Sequence, residues 1–108
     1  MRMLYVYMVT DKPQGALYIG LTKDIAKRSL EHKMGLLEGF AKRFHLKEIV
    51  FAESYPHFEE AIKRKRQLKH WQREWKVRLV EATNPEWEDL YPASLTPLYP
   101  QMAMAGRV

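Results

Sequence analysis

The sequence predicts an α/β chain of the α+β kind, with elements in the order β-β-α-(α)-β-α-α. Three observations carry that prediction. Two short apolar runs bearing tyrosines lie close together near the N-terminus with turn residues between them. A third β-rich run, EIVFAESY, occupies 48–55, and apolar residues recur near the 3.6-residue period within 23–34 and 58–81.

The first run, MLYVYMV at 3–9, is bounded by Thr10, Asp11, Pro13 and Gly15, and the second, ALYIGL, covers 16–21, which reads as a β-hairpin. Alternation sets Leu4, Val6 and Met8 on one face and Tyr5 and Tyr7 on the other; Leu17, Ile19 and Leu21 oppose Ala16, Tyr18 and Gly20 in the same way. A loop centred between Lys12 and Pro13 would place Tyr7 opposite Tyr18, and a different centre would slip that register. Residues 23–34 form the next helix, starting near Thr22 or Lys23, with Asp24 in its first turn and Gly35 as its stop. Ala26, Leu30 and Met34 make its apolar stripe, while Arg28 and His32, four apart, share another face.

LLEGFAKRFHL at 36–46 is a short helix or an ordered loop, and Pro56 ends the third strand. A long helix over 58–81 follows from Phe58, Ala61, Ile62, Leu68, Trp75 and Leu79; Trp71 falls off this stripe, and Lys65 lies on it between Ile62 and Leu68. Asn84 and Pro85 open a last short helix, NPEWEDL. The chain thus divides into a domain at 1–91 and a Pro-rich tail at 92–108, whose single charge is Arg107.

Charge is unevenly spread. The net charge is +5, and residues 58–78 alone hold eight Lys or Arg against three Glu, a surplus equal to that of the whole chain. Such a segment attracts phosphate backbones, although a solvated helix face has the same composition. The chain has no cysteine, which excludes disulfide scaffolds and thiolate metal sites and points to a reducing setting. No stretch approaches the roughly 20 apolar residues of a membrane span, and MRMLYVYMV lacks the form of a leader, so the expectation is a cytoplasmic protein that does not meet the membrane.

YVY at 5–7 and YIG at 18–20, with Tyr7 and Tyr18 eleven residues apart, resemble the two halves of the GIY-YIG motif. YIGLTKDIAKRSLEHK resembles the family's segment carrying an Arg and, four residues on, a His; EEAIKRKRQLKHW resembles its metal-ligand helix, and NPEWEDLY the C-terminal element of its small branch. The chain is therefore identified as resembling the GIY-YIG nuclease superfamily, in the small single-domain bacterial branch related to the N-terminal domain of the excision-repair cleavage subunit.

That resemblance implies a small three-stranded antiparallel sheet flanked by helices. It also implies hydrolysis of a DNA phosphodiester assisted by Mg2+ or Mn2+, in repair or recombination. On it, Tyr7, Tyr18, Arg28 and His32 are the catalytic set and Gly20 a motif position. Tyr7 would orient or deprotonate water, Arg28 would grip phosphate, and His32 would bond or pass a proton. From the pattern alone Tyr7 and Tyr18 are equally half-buried strand tyrosines, His32 a surface histidine, Arg28 a solvated arginine, and Gly20 a bulge or a point of close backbone approach. Lys63, Arg64, Arg66, Lys69 and Arg73 are the candidate nucleic-acid contacts, with Trp71 and Trp75 available for stacking.

Two positions depart from the family. Tyr5 replaces the first Gly of GIY, and alignment of Ala61 and Leu68 puts Lys65 at the metal-ligand Glu. A charged lysine has no lone pair to offer a metal. Lys65 would then stand in for the ion's charge, or snorkel away from the site. The alternative function is a catalytically inactive nucleic-acid-binding module. A weaker one is protein contact through Tyr99, Met102 and Met104 of the tail.

Overall fold

The computed structural model describes residues 3–92. Strand β1 (Leu4–Thr10) lies between antiparallel partners β2 (Tyr18–Thr22) and β3 (Glu48–Tyr55), giving the order β2-β1-β3. Helices α1 (Ile25–Lys33) and α2 (Phe40–Arg43) connect β2 to β3, and α3 (Phe58–His70) and α4 (Arg73–Thr83) follow. The α+β class, the hairpin and the third strand are as the sequence predicts. None of the helices among the described residues is long and apolar enough to cross a membrane.

The central strand is buried on both faces. Val6 and Met8 join Ile19, Ala61, Leu68 and Val80 in one cluster, while Tyr7 and Val9 join Ile25, Ala41, Leu46 and Ile49 in another. Each face of β1 therefore removes apolar surface from water, the main favourable term in folding. A bulge in β3 lies where the register jumps between Met8↔Phe51 and Val9↔Ile49, so Val50 and Phe51 both meet the first cluster.

Tyr7 pairs with Gly20 and Val9 with Tyr18, two residues away from the register that sets Tyr7 opposite Tyr18. A slip of two keeps every side chain on its face, so the two tyrosines remain neighbours.

Three helical expectations are corrected. In α1 the buried residues are Ile25, Ser29 and His32, and Met34 is 60% exposed, so Ala26–Leu30–Met34 is not the core stripe. Ser29 can face inward because its Oγ donates to the Tyr91 carbonyl at 3.1 Å. Asp24 is the N-cap, accepting from the Lys27 N–H at 3.1 Å.

The single helix over 58–81 is two helices, interrupted by extended backbone at Trp71 and Gln72. Trp71 leaves the periodic stripe to pack on the first cluster, with Arg64 5.2 Å from its ring centroid and Trp75 edge-on at 5.8 Å. NPEWEDL is not helical. Asn84 closes α4 instead, its amide donating to Val50 and Glu88 carbonyls at 3.0 and 2.8 Å. Trp87, at φ 56°, is held in the left-handed region by burial and by its Nε1 bond to Glu81 at 2.7 Å. The tail at 93–108, with Tyr99, Met102 and Met104, lies outside the described residues.

Candidate functional site

The site begins at the middle of β1. The Tyr7 ring lies over Gly20 of β2, where a Cβ would collide with its Cζ and Oη. The ladder runs without a bulge at Gly20, so the glycine serves to seat the tyrosine. From this seat Tyr7 Oη reaches His32 Nε2 at 2.8 Å and accepts from Arg28 Nη1 at 3.4 Å. Arg28 Nη1 also faces the Leu21 carbonyl at 3.5 Å, and its Nε pairs with Glu31 at 3.1 Å. One turn of α1 thus brings Arg28 and His32 onto a single phenol, because residues four apart share a helix face.

His32 is a buried histidine, 3% exposed, not a surface one. Burial, then the charges of Arg28 and Lys33, lowers its pKa to about 4; the Leu46 backbone opposes this but makes no bond of good geometry to Nδ1, which has no hydrogen-bond partner. Burial raises the Tyr7 pKa, with the Arg28 hydrogen bond and charge pulling the other way. At neutral pH the pair is a protonated phenol against a neutral imidazole. Oη accepts from Arg28 and lies at hydrogen-bond distance from Nε2, and the imidazole tautomer sets which of the two atoms donates.

Helix α3 supplies the opposite side. Lys65 is partly buried, and burial followed by the charges of Lys69, Arg28 and Arg66 lowers its pKa. Lys65 shares its helix face with Lys69, four residues on. Lys69 Nζ lies 5.7 Å from the Tyr18 ring centroid, and Tyr18 in turn acts electrostatically on Tyr7. Tyr7, Tyr18, Arg28, His32 and Lys69 are thus one neighbourhood, with Lys65 one turn before Lys69 on α3, and an open groove bordered by Leu4, Leu21, Thr22, Lys27, Arg28 and Phe58 adjoins it.

This donor set does not fit a divalent metal ion. Among the described residues no group of three His, Cys, Asp or Glu could hold one. The carboxylate beside Arg28, Glu31, is committed to that arginine. Charged Lys65 offers a cation no lone pair and adds a like charge.

The five basic candidates separate into two groups. Arg64 is engaged within the fold, bidentate to Glu53 at 2.9 and 3.0 Å, and Arg73 donates to the Gln14 and Gly15 carbonyls at 2.7 and 2.8 Å. Lys63, Arg66 and Lys69 are exposed. Trp71 and Trp75 stack with each other edge-on, and Trp75 is 49% exposed. Motif reading passes over Phe40, which stacks on Tyr18, and Phe44, which packs on Phe40; their signal is two aromatics four apart flanking Lys42 and Arg43.

The family described as the GIY-YIG catalytic domain matches residues 3–78. A UPF0213 protein of Staphylococcus saprophyticus is 34% identical over 76 residues, spanning 70% of this chain and 92% of that protein. One from Staphylococcus epidermidis is 31% identical over 77 residues, spanning 71% and 93%. The solution NMR structure of a UPF0213 protein from Bacillus halodurans matches with a TM-score of 0.51 and 26% identity, covering 87% of this chain and 99% of that one.

Proposed function

Since this chain belongs to the GIY-YIG catalytic domain family, we propose that its nuclease-like site holds a DNA phosphodiester by cationic side chains and does not cleave it with a metal ion. The observation that supports this reading is a partly buried Lys65 on α3, on the same helix face as Lys69, whose Nζ lies 5.7 Å from the Tyr18 ring centroid. A phosphodiester presents one negative charge over two free oxygens, which suits a guanidinium beside an ammonium. Lys65 supplies part of the charge a cation would bring, yet it cannot polarise a bound water. Tyr7 and His32 are within hydrogen-bond distance and could move a proton, and the hydrolysis that would use it lacks the Lewis acid that activates water and the phosphate.

The competing reading is a metal-dependent endonuclease of repair or recombination, using Mg2+ or Mn2+ with Tyr7, Tyr18, Arg28 and His32. It requires a carboxylate where Lys65 stands. The two readings separate in one experiment, in which labelled single-stranded, duplex and branched DNA are incubated with Mg2+ or Mn2+ and either the native chain or Lys65→Glu. The native chain is expected to bind and leave the strands intact, and Lys65→Glu to acquire metal-dependent cleavage. Cutting by the native chain would overturn the binding reading, and native-chain silence with no binding would remove nucleic acid as the ligand.

A further inference from the structure

Beside the cationic site, Tyr18 begins a row of aromatic rings whose outer two members the site's chemistry leaves unused. Phe40 of α2 stacks on Tyr18 with centroids 6.1 Å apart and planes 18° from parallel, and Phe44 follows at 4.6 Å. Both phenylalanines face solvent, at 47% and 49% exposure. Large apolar rings of this kind are ordinarily placed in a core. Here Lys69 Nζ sits 5.7 Å from the Tyr18 centroid and the Arg43 guanidinium 5.9 Å from that of Phe44, so cations accompany the row at both ends.

Resting on the reading that the site binds nucleic acid, we propose that Phe40 and Phe44, continued by Tyr18, form a stacking platform for unpaired bases of a single strand whose backbone phosphate lies at Arg28 and Lys65. The occupant is specified by two features together. The half-exposed phenylalanine rings favour a flat, uncharged ring, which would take the place of Arg43 over Phe44, and the displaced cation favours an anion attached to it; an unpaired nucleotide carries both. A base inside a duplex cannot present its face to the platform, so this feature selects strands already open. An apolar protein segment would leave Arg43 and Lys69 without a counter-charge.

The test measures binding of a labelled single-stranded oligonucleotide and of the same sequence as a blunt duplex, for the native chain, Phe40→Leu, Phe40→Ala/Phe44→Ala and Lys65→Ala. Phe40→Leu keeps apolar bulk and removes the π-face, so it separates stacking from packing. Loss of single-strand affinity of about ten-fold in Phe40→Ala/Phe44→Ala, a smaller loss in Phe40→Leu, and unchanged duplex affinity are expected. An equal loss on both DNA forms, or no loss, overturns the platform while leaving phosphate binding intact. Absence of binding by the native chain overturns both. Lys65→Ala is expected to weaken both forms alike.

Discussion

Burial holds His32 near pKa 4 against its ordinary 6.5, and this links one side chain to the stability of the whole. Above pH 6.5 the imidazole is neutral in both folded and unfolded chains. As pH falls from 6.5 toward 4 the unfolded chain takes up a proton that the folded one refuses, so stability is lost through that window, by at most about 3 kcal/mol. Urea midpoints of the native chain are therefore expected to fall between pH 7 and pH 4.5, and His32→Gln to fall distinctly less. Parallel pH profiles for the two proteins would exclude His32 as the source. The sequence offered both ends of the Tyr7–His32 contact through the family resemblance, yet alternation and helical period put His32 at the surface. Its burial depends on Ser29 facing inward with it, and a small polar residue that finds a buried carbonyl leaves no trace in a hydrophobic pattern. Gly20 is similar. Its reason is the ring across the ladder, and that becomes visible only when the register is known.

At the scale of elements, α3 divides its basic residues between structure and solvent. Arg64 ties α3 to Glu53 at the edge of the sheet and lies against Trp71 where the helix ends, whereas Arg66 is exposed. Arg64→Ala is expected to lower stability by about 1 kcal/mol, since a well-formed, partly buried bidentate pair exceeds the ordinary surface ion pair. Arg66→Ala is expected to leave stability unchanged and to reduce both DNA affinity and its dependence on salt. Denaturation and salt-titrated binding of the two variants check the division, and a larger stability loss for Arg66→Ala than for Arg64→Ala would refute it. The strands were legible because alternating apolar residues and turn residues mark their ends locally. The break between α3 and α4 was not, for Trp71 and Gln72 contain neither proline nor glycine, and the interruption comes from where Trp71 packs. The failure of NPEWEDL as a helix has the same origin, in the contacts of Asn84 and Trp87 with distant parts of the chain.

For the molecule as a whole, the arrangement of two apolar clusters on either side of β1 is what fixes the site. Val6 to Val9 are at most 1% exposed, and β1 is bonded to a strand on each side. Each amide of β1 bonds one neighbouring strand and is covered by the buried clusters on the two faces, so it meets solvent only through a large opening of the sheet. Exchange of the Tyr7, Met8 and Val9 amides for deuterium is therefore expected to report the same opening free energy as urea denaturation of the entire chain, while the amides of α2 exchange through smaller openings. Measurably faster exchange at Tyr7 than global unfolding allows would contradict this. On that expectation the phenol and the outer rings of the platform would have different lifetimes: Tyr7 would keep its place until the sheet itself opens, and Phe40, on the four-residue α2, would be released more often.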